Sequence, residues 1–273
     1  YGDHRDLHLS IRRQRQMCIR DRAKTLDYET PMNGVDYTVA NHLSKSAELI
    51  KTLKSYETED ISKLMGLSSN LAFLNFERYQ SWKRPTKPSA DARQAVFAFH
   101  GDVYQGLEAA TLKKGDLKFA QKHLRILSGL YGVLKPLDLM APYRLEMGTK
   151  LSTKKHDDLY GFWKDTLTAD INAQLAEQKD STLINLASNE YFNALNKKDI
   201  AGDIVSPVFK DFKNGDYKII SFFAKKARGM MARYIIDNKV TNPDGLATFN
   251  YGGYKFNAKL SQDNAPTFTR KTS

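Results

Sequence analysis

Four cations in residues 221–236 are spaced so that they could bind the phosphates of a nucleic acid. The segment reads SFFAKKARGMMARYII and predicts a helix with an apolar stripe along one side. Four cations share the opposite arc of this helix: Lys225, Lys226, Arg228 and Arg233. Because Gly229 and Ala232 lie between them, an extended anion could approach the helix backbone closely. We therefore predict a phosphate-binding helix, with a solvated surface helix as the alternative.

A glycine-bearing turn follows a short predicted helix, Asp116–Leu124. Gly129 and Gly132 could present backbone N–H groups to a phosphate, as helix-hairpin-helix modules do. The spacing is imperfect, since those hairpins usually have one residue between their glycines and this chain has two. Pro136 would also truncate any following helix. A strand or tight turn with glycines at positive φ is the alternative.

Arg144 and Glu146 lie two residues apart, so they would share one side of an extended segment. Such an Arg–Glu pair is usually structural. A phosphate contact by Arg144 is the alternative.

Polar residues follow two apolar runs that predict buried strands, Ala95–Phe99 and Thr182–Leu186. Asp102 comes after the first run and Glu190 after the second, each where a helix is predicted to begin. Ligands of α/β proteins lie at such strand ends, and the two carboxylates could serve acid–base or metal chemistry. The sequence gives no distance between them. We interpret Ser188, just before Glu190, as a helix N-cap.

No motif for a cofactor or a metal ion is found. The chain has neither a GxxxxGK[ST] phosphate loop nor a GxGxxG fingerprint. The histidines after the first 22 residues are scattered without ligand spacing, and no cysteine occurs there. We therefore predict no bound cofactor and no zinc or iron–sulfur site.

The predicted elements indicate an α+β fold in a single compact domain, with helices around a mixed sheet. Asp157–Gln178 predicts a long helix with an apolar core side. Asn214-Gly215 between two apolar runs is a strong hairpin signal, and Thr267–Arg270 predicts a late strand. Hairpins and irregular strands mixed with helices favour α+β over strict βαβ alternation.

Composition and charge favour a polyanionic partner. The 273 residues carry a net charge of +11, with a pI near 9.5. No apolar run reaches the roughly 20 residues of a transmembrane helix, and no signal-peptide pattern is present. The single cysteine, Cys18, excludes an internal disulfide framework. These features predict a cytoplasmic location.

The first 22 residues differ from the rest of the chain. They contain six Arg, no Lys and little hydrophobic periodicity. A basic tail that grips nucleic acid is one interpretation. We favour a leader that is foreign to the fold or disordered, which leaves residues 23–273 as the DNA-binding domain.

Five stretches together carry a family resemblance: AKTLDYETP from Ala23, FHGDVYQGL from Phe99, HLRILSGLYGVLKPLDLMAPYRLEMGTKL from His123, INLASNEYF from Ile184 and SFFAKKARGMMARYII from Ser221. In these the chain closely resembles the bacterial peroxide stress protein YaaA family, from Ala23 to near the C-terminus. Members of that family begin with a short apolar strand and Ser-Pro. Here the Arg-rich segment stands in that place, which puts one core strand, expected to be central, in question.

The resemblance implies a cytosolic DNA-binding protein that limits oxidative damage and lowers free iron. It also implies an α+β fold with a basic cleft and a helix-hairpin-helix-like element. Carried over by position, the cleft residues are Lys24, Arg125, Lys135, Arg144, Lys225, Lys226 and Arg228. The sequence shows no set of iron ligands, so we interpret the effect on free iron as indirect.

Three functions follow from these observations. The leading hypothesis is a binder of duplex or distorted DNA that does not read sequence. The alternative is an enzyme acting on nucleic acid or nucleotides, such as a glycosylase using Asp102 or Glu190. Direct iron sequestration is the third, and the scattered histidines argue against it. The sequence favours a protein that is not an enzyme.

Overall fold

The computed structural model describes residues 16–20, 25–30, 34–177 and 181–271. Its strands, in chain order, are β1 Gln16–Arg20, β2 Thr25–Leu26, β3 Thr38–Val39, β4 Arg93–Gln94, β5 Phe99–His100, β6 Leu124–Ser128, β7 Gly132–Leu134, β8 Asp138–Met140, β9 Thr182–Ala187, β10 Asp203–Val205, β11 Val208–Lys213, β12 Asp216–Lys218, β13 Lys255–Phe256 and β14 Thr267–Arg270. Its α-helices are α1 Leu43–Leu53, α2 Thr58–Met65, α3 Ser69–Ser81, α4 Ala95–Ala98, α5 Asp102–Leu107, α6 Lys114–His123, α7 Leu159–Ala176, α8 Asn189–Phe192 and α9 Ser221–Asp237.

The two largest of the four sheets in the described residues are mixed. The larger has the strand order β10-β9-β1-β6-β7, parallel except for the antiparallel pair β6–β7. The smaller has the order β12-β11-β14-β13, in which β11 and β14 are parallel. Helices surround these sheets, and the buried apolar side chains form one contiguous core. The predicted α+β class is confirmed.

The centre of the larger sheet is formed by residues of the segment for which we predicted a leader. Met17 pairs with Leu124 on one side and with Ile184 on the other. The side chains of Met17, Cys18 and Ile19 are fully buried. The fold therefore takes in Gln16–Arg20, and these residues occupy the central position that the resemblance put in question. A foreign origin of residues 1–22 stays a prediction.

Burial of Cys18 gives this strand a direct chemical test. Burial raises the pKa of the Cys18 thiol to about 12, although nearby Arg125 lowers it in part. We expect the native protein to resist iodoacetamide at about pH 8, while the denatured chain takes up one adduct. Mass spectrometry reports on Cys18 alone, because it is the single cysteine. Equal labelling of native and denatured protein would show that β1 is not in the core.

Local sequence patterns are confirmed in several places. Asn214 and Gly215 have φ values of 55° and 81°, as the predicted hairpin between β11 and β12 requires. The predicted helix 157–178 is α7, and β9 and β14 form where strands were predicted. The predicted strand Ala95–Phe99 is wrong, because Ala95–Ala98 form α4. A short run that is buried throughout has no periodicity to distinguish helix from strand.

No helix in the described ranges is both long enough and apolar enough to cross a membrane.

Candidate nucleic-acid interface

The small residues of α9 form a helix–helix contact. A Cβ atom placed on Gly229 would lie 1.8 Å from the carbonyl oxygen of Val103, in α5. A Cβ atom on Gly106, also in α5, would lie 2.1 Å from the carbonyl oxygen of Lys226. The two backbones therefore touch where we predicted an open floor for an anion, and that prediction is wrong. A helical wheel shows a small residue but not the helix that packs onto it.

Arg233 is engaged by groups within the protein. Its Nε donates to both carboxylate oxygens of Asp237, at 2.8 and 2.9 Å. Its Nη1 donates to the carbonyl oxygens of Leu107 and Glu108 and to the hydroxyl of Thr111. Because α5 ends at Leu107, these bonds satisfy carbonyls at its C-terminus. Arg233 thus ties α9 to α5, and its predicted phosphate contact stays a prediction.

The other three predicted cations of α9 are half-buried. On the helical wheel Lys225 and Arg228 flank Ala232, which is fully buried, and Lys226 lies on the far side of Gly229. The packing of α5 on Gly229 therefore divides these cations, and they do not share one open arc.

Gly129 and Gly132 belong to a β-hairpin of the larger sheet. Ser128 pairs with Gly132 across the turn from β6 to β7, and every residue of the turn is buried. A Cβ atom on Gly132, whose φ is 70°, would lie 2.6 Å from the ring of Trp163. The Trp163 Nε1 donates to the Gly129 carbonyl oxygen at 2.8 Å. This turn joins two strands rather than two helices, so the alternative of a tight turn is confirmed here, and a helix-hairpin-helix-like element elsewhere in the chain stays a prediction.

Arg144 and Glu146 form the ion pair that their spacing suggests, at 3.2 Å. The carbonyl oxygen of Arg144 also accepts a hydrogen bond from the hydroxyl of Tyr79, in α3. These contacts support the structural interpretation of Arg144, and a phosphate contact stays a prediction.

The two candidate carboxylates lie at helix starts. Asp102 is the first residue of α5, and the Glu190 carboxylate accepts a hydrogen bond from the Gly148 backbone N–H at 3.0 Å. Ser188 is at the N-cap position of α8, as predicted, although its hydroxyl makes no capping bond. Within the described residues no cluster of His, Cys, Asp and Glu could hold a metal ion. Nothing among these contacts favours base excision.

Arg125 and Lys135 are brought together by the fold. Both line one cavity beside the start of β6, and both also reach a smaller cavity that Asp138 and Asp170 line. Arg125 is almost completely buried, and its Nη1 donates to the carbonyl oxygens of Gln121 and Leu124 at 3.1 and 2.8 Å. Burial lowers the pKa of its guanidinium. Lys24, the remaining predicted cleft residue, lies outside the described residues.

The cavity of Arg125 and Lys135 adjoins a second one along α6. The two cavities, of about 410 and 520 Å³, share Lys122 and His123. Together they have five cationic lining residues: Lys118, Lys122, Arg125, Lys135 and Lys239. Glu177 is the one carboxylate among their lining residues in the described part of the chain. We call this pair of cavities the α6 trough.

Sequence reasoning missed three cations of the α6 trough. Lys118 and Lys122 are four residues apart and exposed on α6, so helical spacing could have shown them on one side. Lys239 follows α9 and forms an ion pair with Asp116 at 2.5 Å. No sequence pattern joins Lys239 to α6, because the fold alone brings these segments together.

Comparison with known proteins identifies the family of this chain. A family model described as peroxide stress protein YaaA matches residues 19–260. A UPF0246 protein of Saccharophagus degradans is 54% identical over 249 residues, which cover 91% of this chain and 97% of that protein. A UPF0246 protein of Dechloromonas aromatica is 51% identical over 251 residues, covering 92% and 97%. The chain therefore belongs to the YaaA family of peroxide stress proteins.

Proposed function

We propose that this member of the peroxide stress family binds duplex or distorted DNA in the cytoplasm without reading its sequence. The observation that carries the proposal is the α6 trough, where cations outnumber carboxylates five to one among the described lining residues. Such an excess attracts the phosphate backbone through counterion release, which supplies most of non-specific binding.

The cations of the trough come from separate parts of the fold. α6 supplies Lys118 and Lys122, β6 supplies Arg125, and the segments after β7 and α9 supply Lys135 and Lys239. Folding already holds these like charges close together. The free energy of bringing them together is therefore not part of the free energy of binding DNA. Arg144, Lys225, Lys226 and Arg228 stay candidate contacts outside the trough.

Binding of this kind would fit a role in peroxide stress. Protein bound along the backbone covers DNA independently of its sequence, and it would limit the access of peroxide and iron to the sugars and bases. No metal-ligand cluster is needed for that effect, and a change in free iron would be indirect.

The double variant Lys118→Ala/Lys122→Ala tests the trough. Each phosphate contact contributes about 0.9 to the slope of log affinity against log salt. We therefore expect the double variant to weaken duplex binding and to lower the slope by about 1.8. Fluorescence anisotropy of a labelled duplex at several KCl concentrations measures both quantities.

A matched control keeps the loss of charge constant. Lys51 and Lys63 are also exposed helical lysines, on α1 and α2. The variant Lys51→Ala/Lys63→Ala should reduce the slope much less, because these residues lie outside the trough. Equal slopes for the two double variants would show that the trough does not contact DNA.

A further inference from the structure

A half-buried arginine near the end of α3 has no carboxylate partner in the described part of the chain. Arg78 forms no ion pair with any described residue. Burial lowers the pKa of its guanidinium, and the titratable side chains that act on it are Tyr28 and Tyr79. Burial raises the pKa of both phenols, so they stay uncharged at neutral pH. None of the described side chains that act on Arg78 carries a negative charge at neutral pH, so a bound anion would offset the free-energy cost of partly burying this cation.

Arg78 lies where two cavities meet. Cavities of about 670 and 460 Å³ share Arg78, Asp91 and Pro142 as lining residues. The larger is also lined by three exposed cations, which follow α3 in the loop 82–88: Lys83, Arg84 and Lys87. We call this larger cavity the Arg78 pocket. Asp91 is the one carboxylate among its described lining residues, and it is exposed to solvent.

The Asp27 carboxylate, which lines the smaller cavity, is engaged by groups other than Arg78. The Asp27 carboxylate pairs with Arg93 at 3.2 Å and accepts hydrogen bonds from the backbone N–H groups of Glu29 and Thr30, both at 3.0 Å. These partners lower the Asp27 pKa against the opposing effect of burial. Of the two cavities, the Arg78 pocket is therefore the one in which cations outnumber carboxylates.

Part of the wall of the Arg78 pocket is formed by apolar residues. Trp82 lines it, and its Nε1 donates to the hydroxyl of Tyr131, a buried residue of the core, at 3.0 Å. Pro85 is buried and stiffens the loop that carries the cations. Ala141 and Pro142 lie among the lining residues. The pocket thus offers cations and an aromatic side chain together.

The size of the pocket and the chemistry of its lining select its ligand. Its volume, about 670 Å³, is within the usual range for organic ligands and far exceeds that of an inorganic anion. A planar guanidinium suits phosphate oxygens, and an aromatic wall suits a base or sugar. We propose that the Arg78 pocket binds the phosphate of a nucleotide, either free or as one unit of a single strand.

This pocket is separate from the α6 trough. Arg125 lines the trough near the start of β6. Gly129 follows the end of β6 and lies against the backbone of Leu145. The neighbouring residue, Arg144, accepts a hydrogen bond through its carbonyl oxygen from the hydroxyl of Tyr79, which follows Arg78 in α3. The two sites therefore lie toward opposite ends of one strand. Trough variants should leave nucleotide binding unchanged, so the two proposals can fail independently.

The variant Arg78→Met tests the proposal. The probes are thymidine 5′-monophosphate and inorganic phosphate, measured by calorimetry, and a fluorescent single-stranded oligonucleotide, measured by anisotropy. We expect Arg78→Met to weaken nucleotide or oligonucleotide binding at least about tenfold, because a charge-assisted hydrogen bond is lost. Arg84→Ala/Lys87→Ala, which changes exposed residues only, should weaken it as well. Lys51→Ala is the matched control and should bind like the natural sequence.

The outcomes separate the sources of the ligand. If the protein binds thymidine 5′-monophosphate and Arg78→Met abolishes that binding, the ligand is a free nucleotide. If Arg78→Met weakens only the binding of the oligonucleotide, the ligand is one nucleotide unit of a single strand. Thermal unfolding should show that Arg78→Met is at least as stable as the unchanged protein, since a half-buried charge without a carboxylate partner among the described residues is removed. Equal affinities with and without Arg78, or binding of inorganic phosphate as tightly as the nucleotide, would overturn the proposal.

Discussion

Replacing Gly229 with alanine is expected to destabilise the protein by at least about 2 kcal/mol. The added Cβ atom would lie 1.8 Å from the Val103 carbonyl oxygen and 2.9 Å from the Leu107 backbone nitrogen. Both are backbone atoms of α5, so no side chain can rotate away and the two helices must separate. This outweighs the gain of about 1 kcal/mol that alanine normally brings to a helix. Urea unfolding followed by circular dichroism measures the difference.

Gly115 is a matched control within the same chain. It lies in the first turn of α6, and no atom is within 4 Å of a Cβ atom placed on it. Gly115→Ala should therefore be neutral or stabilise the protein by up to about 1 kcal/mol. If Gly229→Ala were equally well tolerated, α5 would not cover α9 at this point, and the open floor predicted from the sequence would regain its support.

The second large effect is expected from Arg270→Met, at about 3–5 kcal/mol of destabilisation. Asp211, which is 1% exposed, accepts hydrogen bonds from the Arg270 Nε and the Tyr254 hydroxyl, both at 2.7 Å. The Arg270 guanidinium also lies over the rings of Tyr254 and Phe223, at 4.4 and 4.8 Å. Removing the guanidinium leaves the buried Asp211 carboxylate bonded to the neutral Tyr254 hydroxyl and without its cation. Equilibrium unfolding in urea measures the loss.

Two further variants isolate the contribution of the pair. Lys271→Met removes the next cation, which is exposed and lies over the Phe212 ring, and should change stability by less than about 0.5 kcal/mol. Asp211→Asn in the Arg270→Met background should recover part of the loss, because the uncompensated charge disappears. A loss below about 1 kcal/mol for Arg270→Met would show that Asp211 does not depend on Arg270.

Features fixed by short-range pattern were predictable from the sequence. The hairpin at Asn214-Gly215 follows from the positive φ that those residues tolerate, and α7 follows from its apolar side. The roles of Gly129 and Gly229 did not follow, because Leu145 and Val103, the residues that close over them, are distant in the chain. A glycine that allows close packing and one that allows a ligand to approach look the same in sequence.

The candidate sites were predictable only in part. Arg125 and Lys135 were named through the family resemblance, and the fold places them in one cavity. Arg78 carried no signal, since an arginine among polar residues of a helix is ordinary. Its significance comes from what surrounds it, namely partial burial without a carboxylate partner among the residues that the structure describes, which no spacing rule detects.

The central position of β1 has a consequence for how the polypeptide matures on the ribosome. β1 is synthesised before the other strands of its sheet, yet its two neighbours, β6 and β9, come much later in the chain. Until Ala187 has been added, this apolar strand cannot be paired along both edges. A nascent chain with open strand edges is prone to association with other chains. Translation speed before β9 should therefore influence the yield of native protein more than translation speed after it.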